Sequence, residues 1–321
     1  METLMHLAKT IVAGLLATAV AWAEPVLHLD FEDEPAGFEI VGGVSFEAGP
    51  RPPEFPDLAK KNRAAEFDGS SRLVIKDPGE GSPLDFDNGD AITLEAWVSS
   101  GTIGQGDNVY LIGKGRTNNK GFVANNQNYA LRLRGQGGEG CVSFLFFSRP
   151  EKDKLGDWHR WTSDSGVLPD DGWSHVAVTY EFGKPKSVKG FVDGKPVSGK
   201  WDMGGASERP PVVDDDELWI GSALGGSRNN SFAGGLDEVA VHREVLSPEI
   251  IAKRHRRVPQ PKPKYVRDDW PTDKVLVEVV EGFSSARGWP RPDLPPIDSY
   301  QQDVFGFFRT VHKYGEPGVR V

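Results

Sequence analysis

Ile92-Thr-Leu-Glu-Ala-Trp-Val98 is the stretch from which the fold can be read. Ile92, Leu94, Ala96 and Val98 fall on one side of an extended chain, and Thr93, Glu95 and Trp97 on the other. That period of two belongs to a β-strand with one face on a core. Short segments of the same kind flank it: Val26–Phe31, Arg63–Phe67, Leu73–Lys76, Ala91–Ser99, Val109–Lys114 and Tyr129–Arg134. Downstream come Cys141–Ser148, Ser174–Glu181, Ser187–Val192, Glu217–Gly221 and Gly235–Arg243. Between them lie turns rich in glycine, proline, asparagine and aspartate. With 38 glycines and 24 prolines, the chain suits a loop-rich all-β architecture better than a helical one. Val192-Asp-Gly-Lys195 is a hairpin signal, because Asp-Gly accepts the positive φ angles of a tight turn.

One helix is expected before residue 260. Ser247 caps it, Pro248 takes its first position, and Glu249 sits at its positive end. Lys253, Arg254, Arg256 and Arg257 follow at the end where cations complement the dipole, a reading that outweighs a polyanion site.

The termini read differently. Lys9, the apolar run Ile11–Val20 and Ala21-Trp-Ala23 form a signal peptide over residues 1–23, with Glu24 as the mature start. The run is too short for a membrane span, so a secreted, periplasmic or cell-surface location is expected. A single cysteine, Cys141, excludes an internal disulfide framework. The net charge of −10 argues against nucleic acid or an anionic membrane as partner. Residues 258–264 (Val-Pro-Gln-Pro-Lys-Pro-Lys) form a proline-rich linker. Residues 265–321 read as a short mixed α/β extension, either packed on the sandwich or opening a further domain. In it Lys274–Val280 is expected as a strand and Asp298–Tyr314 as an amphipathic helix.

Eight motifs now stand in register. Leu29-Asp-Phe-Glu-Asp33, Ala65-Glu-Phe-Asp-Gly69, Ile92–Val98 and Leu111-Ile-Gly-Lys-Gly115 are the first four. Trp173–Tyr180, Gly190-Phe-Val-Asp-Gly194, Leu218-Trp-Ile-Gly221 and Phe232–Ala240 complete them. In this order they resemble the laminin G-like domain of the concanavalin A-like lectin/glucanase superfamily, over about residues 26–257. The resemblance implies two antiparallel sheets packed as a jelly roll (residues 24–257), with ligand sites in loops or on the concave sheet. It also implies a structural calcium, held by acidic residues on the first strand and near the last. By motif these are Glu32 or Asp33, Asp68 and Asp237. The alternative is that Asp68 serves its turn and Asp237 a strand end.

A sugar site needs an aromatic plate and polar groups for hydroxyls. Arg149–Asp171 reads as a long polar loop carrying Trp158, His159, Arg160 and Trp161, and Asn126, Arg228 and Asn229 lie in two other loops. Equally, Trp158 and Trp161 could pin their own loop. Trp97, Trp173 and Trp219 belong to strand motifs and are assigned to the core, and His175, in the same motif as Trp173, reads as a satisfied structural histidine. Glucanases of this fold carry carboxylates alternating along one strand. No Glu-x-Asp-x-Glu, nucleophile elbow, zinc spacing or phosphate loop appears, so no catalytic residue is assigned. The expected function is non-catalytic binding of polysaccharide or glycoconjugate. Adhesion to a surface protein is the alternative and glycoside hydrolysis the second.

Overall fold

The computed structural model describes residues 24–32 and 37–258, together with the backbone of 299–302 and 308–311. The signal-peptide segment, Asp33, nearly all of the linker and the expected strand at 274–280 lie outside the described residues. The chain divides into two compact units, 1–51 with 57–256, and 52–56 with 257–321.

The strands of the larger unit are β1 (Leu27–Leu29), β2 (Glu39–Val41), β3 (Ser45–Ala48), β4 (Arg63–Asp68), β5 (Arg72–Ile75) and β6 (Ala91–Ser100). Next come β7 (Asn108–Lys114), β8 (Tyr129–Gln136), β9 (Glu139–Ser148), β10 (Asp157–Val167) and β11 (Ser174–Glu181). They end with β12 (Lys189–Val192), β13 (Lys195–Val197), β14 (Gly199–Met203), β15 (Leu218–Ile220) and β16 (Ala233–His242), followed by helix α1 (Pro248–Arg254). The first sheet has the order β13-β12-β11-β6-β16-β4-β3, with β1 also on β16. The second runs β14-β10-β9-β8-β7-β15-β5-β2. Every pairing is antiparallel, and the long-range order is that of a sandwich rather than a meander.

The alternation of the opening stretch sets the layering. Ile92, Leu94, Ala96 and Val98 join Leu131, Phe144, Val176 and Leu236 in one continuous core between the sheets. All eleven strands expected before residue 260 form, and Asp193 (φ 50°) and Gly194 (φ 70°) make the β12–β13 hairpin. Helix α1 begins as expected: the Ser247 hydroxyl accepts from the Ile250 amide and Pro248 opens the first turn. Its apolar side, Ile250 and Ile251 with the preceding Leu246, covers Ala177 and Phe191 on the outer face of the first sheet.

Three expectations are corrected. The polar segment 149–171 is not a loop, since most of it is the eleven-residue strand β10, paired with β9 and β14. Both faces of β10 mix aromatic with polar residues, so no hydrophobic alternation marks it. Trp97 and Trp219 are buried, but on the outer faces of the two sheets rather than in the sandwich core, and Trp173 is only half-buried. In the smaller unit, the stretch expected as a helix contains strand β17 (Ser299–Gln302) paired antiparallel with β18 (Phe308–Val311). Phe308-Arg-Thr-Val311 favours strand, and Gly306 within a helix would be unfavourable by about 1 kcal/mol. In this unit Arg257 also pairs with Glu54 (2.7 Å) and lies over Phe55.

Candidate functional site

The residues first assigned to a sugar site separate into four places. On β10, His159 and Trp161 face inward while Trp158 and Arg160 face outward. Trp161 is 4% exposed and belongs to the core. The glycine at 199 makes its room, because a Cβ there would sit 2.3 Å from the indole. Trp161 cannot act as a sugar plate. His159 stacks on Phe146 (4.9 Å) and its ring nitrogens meet Ser148 Oγ (3.1 Å) and the Gly205 carbonyl (3.0 Å). Trp158 is half-buried, with Arg116 over its ring at 4.4 Å and Phe147 edge-on at 4.9 Å. Arg160 is paired with Asp202 by two contacts, 2.7 and 3.1 Å.

Asn126 is buried and joins two loops. Its amide donates to Asp214 and Asp216 (2.9 Å each), and its oxygen accepts from the Arg116 amide (2.7 Å). Nothing of it is left for a ligand.

Arg228 and Asn229 differ. They sit on a helical turn (Arg228–Asn230) between β15 and β16, exposed, and among the described residues neither side chain has a protein hydrogen bond. They line a rim cleft of about 760 Å³, formed with the β4–β5 and β6–β7 connections. Phe67, Val109 and Phe232 give it an apolar floor, while Ser70, Thr102 and Asp107 add polar groups. Glu66 and Asp68 also reach it, a carboxylate pair alternating on β4 that motif reading passed over. Burial raises the Glu66 carboxyl above its ordinary value. Asp68 is pulled down to about 2 by hydrogen bonds from Ser70 and Ser71.

All three of these bonds fall on Oδ1 of Asp68, within its own turn. Asp68 pairs with Ala233, four residues along β16 from Asp237, about 13 Å at the strand rise. The structure therefore separates it from the other assigned ligands. Asp237 is fully buried: Oδ2 accepts from Asn62 Nδ2 (2.6 Å), and Oδ1 has no partner among the described residues. Burial, with the nearby charges of Glu238 and Glu32, pushes its carboxyl up to about 8. Glu32 accepts from the Arg63 amide (2.9 Å). A buried carboxylate with an orphaned oxygen beside a second carboxylate is a donor set that suits a hard cation.

A second acidic group was missed. Asp77, Asp85 and Asp215 offer oxygens within 4.8 Å of one another, a set that can hold a cation. Here the chain's own ammonium reaches it. Lys114 Nζ, fully buried, lies 3.0 Å from Asp77 and 3.1 Å from Asp85, and donates to the carbonyls of Asp214 and Asp216 at 2.7 Å. Lys114 ends a strand, and nothing in its local sequence signals this role.

Two antiparallel sheets with a loop-built cleft at the rim define a lectin-like sandwich. Residues 73–252 match a laminin G family model described as the concanavalin A-like lectin/glucanases superfamily, and the chain belongs to that superfamily. No curated protein matches it. Among solved structures it is similar to domain 4 of AbnA, a GH43 extracellular arabinanase from Geobacillus stearothermophilus, in complex with arabinotriose. That likeness has 17% identity and a TM-score of 0.41, covering 67% of this chain and 89% of that one. It is similar also to the binding domain of Paraclostridial Mosquitocidal Protein 1 (13% identity, TM-score 0.46, 67% of this chain), of which it spans only 46%. A third is the Ruminococcus gnavus IT-sialidase CBM40 bound to alpha2,3 sialyllactose, at 14% identity and TM-score 0.38, covering 66% and 98%. These likenesses are of fold.

Proposed function

We propose that this chain is an exported, non-catalytic module that binds polysaccharide or glycoconjugate in the rim cleft, with Arg228 and Asn229 as its hydrogen-bonding groups. One observation carries the reading: two exposed, unengaged polar side chains stand over an apolar floor in a loop-built cleft. Membership of a lectin/glucanase superfamily supports it, and the leader-like residues 1–23 support export. Calcium, held by Asp237 and Glu32 beside Asn62, would neutralise the buried carboxylate and brace the first sheet.

The test is a glycan-array and insoluble-polysaccharide screen of the full chain, in calcium and in EDTA, repeated with Arg228→Ala/Asn229→Ala. Discrete hits lost in the double variant support the cleft, and hits that survive it remove the assignment. Release of reducing ends, abolished by Glu66→Gln, would turn the module into a hydrolase. A blank array favours a protein partner. For that second reading the specific observation is an apolar cleft of about 530 Å³ at Phe147 and Val212, rimmed by Val123 (67% exposed) and Leu155 (87% exposed).

A further inference from the structure

Four arginines gather on the outer face of the second sheet. Register places Tyr110, Arg132, Ser143 and Thr162 in one row across β7, β8, β9 and β10. The next row holds Ala130, Leu145 and Arg160, and the one beyond it Phe147 and Trp158. Arg116 enters from the connection after β7, its Nη1 donating to the Tyr110 hydroxyl (2.8 Å) and its guanidinium lying over Trp158. Arg134 stands in the row on the other side of Arg132, beside Asn108 (3.2 Å). The middle of this face is therefore small side chains, Ala130, Ser143 and Thr162, between arginine and aromatic walls.

The charges there do not balance. Among the described residues, Arg160 alone of the four has a carboxylate, Asp202, within 4 Å. Arg132 is 3% exposed and is met by Ser143 Oγ (3.0 Å) and by Tyr110, whose ring lies 5.3 Å from its guanidinium, with no carboxylate paired to it among the described residues. Arg132 Nε, Arg116 Nε and Thr162 Oγ1 are buried without a hydrogen-bond partner among the described residues. A guanidinium does not shed its proton, so this charge cannot be relieved by titration near neutral pH. Burial, with Arg116 and Arg160 nearby, lowers Arg132 only to about 10. Leaving such a cation buried and unpaired is strongly unfavourable. In a chain of net charge −10 the positive patch is local.

We propose that this face is an oxyanion site for an acidic saccharide. Arg132 takes the carboxylate or sulfate at the centre, Arg116 and Arg160 flank it, and the Ser143 and Thr162 hydroxyls complete the donors. The forked N–H groups of arginine match both oxyanions. Half-buried Trp158 supplies ring surface for the apolar side of a sugar, which a free inorganic anion would not need. The site shares no lining residue with the rim cleft and does not depend on that assignment.

Affinity electrophoresis of the full chain tests this in gels containing a polyuronate, its carboxyl-reduced form, a sulfated glucan or the unsulfated glucan. Retardation by an acidic polymer, not by its neutral counterpart, and weakened by salt, is expected. Which of the two retards identifies the oxyanion. Arg132→Met should reduce retention at least about tenfold, the loss of a charge-assisted hydrogen-bond pair. It should leave the melting temperature unchanged or raised, because an unbalanced buried charge is removed. Lys195→Met, at an exposed cation of the first sheet, should retain acidic polymer normally. Equal retention of acidic and neutral polymers, no retention of either, or retention unaffected by Arg132→Met would overturn the site. An equal loss in the Lys195 variant would make retention a general charge effect and overturn it too.

Discussion

On the outer face of the first sheet a buried carboxylate, Glu95, is ringed by nitrogen groups, while on the outer face of the second a buried guanidinium, Arg132, has other cations as neighbours. Glu95 meets His242 Nε2 at 2.8 Å, Arg254 Nη1 at 2.9 Å and His175 Nε2 at 3.3 Å. Helix α1 supplies Arg254 and covers the neighbouring strands. Orphaned atoms occur on both faces. On the first they include the Nδ1 atoms of His175 and His242. On the second they include N–H groups of permanent cations. A buried charge answered by its own chain and partly roofed by its own helix is architecture. One left unanswered on an outer face is an opening for a ligand.

The comparison breaks most visibly at Glu95. Glu95→Ala should remove about 3–5 kcal/mol, because two histidines and an arginine lose a buried partner, and denaturant unfolding measures it. The pH dependence has a definite sign. Burial raises the Glu95 carboxyl, but hydrogen bonds from His175 and His242 and the charge of Arg254 outweigh it, leaving it well below the usual carboxylate range. Its stabilisation is therefore present above the unfolded carboxylate's ordinary pKa of about 4.3 and is lost as pH falls through the folded value. A Glu95→Ala protein with the same acid-unfolding profile as wild type would refute this.

Asp237 sharpens the comparison, being a buried carboxylate on β16 with no cation paired to it among the described residues. Its raised carboxyl, about 8, keeps a proton that the unfolded chain releases near pH 4. In chelator, stability should decline as pH rises from about 4 to about 8. Calcium at a hundredfold excess over its Kd should restore about 2.7 kcal/mol. Asp237→Asn should abolish the calcium increment and flatten the decline in chelator, matching wild type there near pH 4 and exceeding its stability near pH 8. Equal loss in both buffers, read as melting temperature, would make Asp237 purely structural.

How much of this could be read beforehand follows the range of the interactions. The core side of β6 is legible because period-two alternation is local, and Ser247-Pro-Glu is legible because a cap lies within one turn. Strand β10 is not, since its inward residues include His159 and Ser163 and its outward ones Trp158. Arg116, Arg132, Arg134 and Arg160 arise from β8, β10 and a connection, and only sheet register brings them together. Lys114 reads as a strand end, and its acidic partners lie 29 to 102 residues away. Tryptophans 158 and 161 looked like one platform, yet three residues apart on a strand they face opposite ways.

The smallest expected effect bears on what the helix contributes to the first face. Ser247→Ala removes the hydroxyl that accepts from the Ile250 amide and should lower stability by about 1 kcal/mol. Fraying of a seven-residue helix reaches Arg254 within two turns, so part of that loss should pass through the Glu95 contact. A double-mutant cycle of Ser247→Ala with Glu95→Gln separates the two. If the helix roofs and neutralises the network together, the cap should be worth less once Glu95 is gone, by roughly 0.5 kcal/mol or more. Strict additivity would mean that α1 covers apolar surface alone and that Glu95 is held by the two histidines without it. The contrast between the faces would then rest on the sheets themselves, with Arg254 an incidental neighbour.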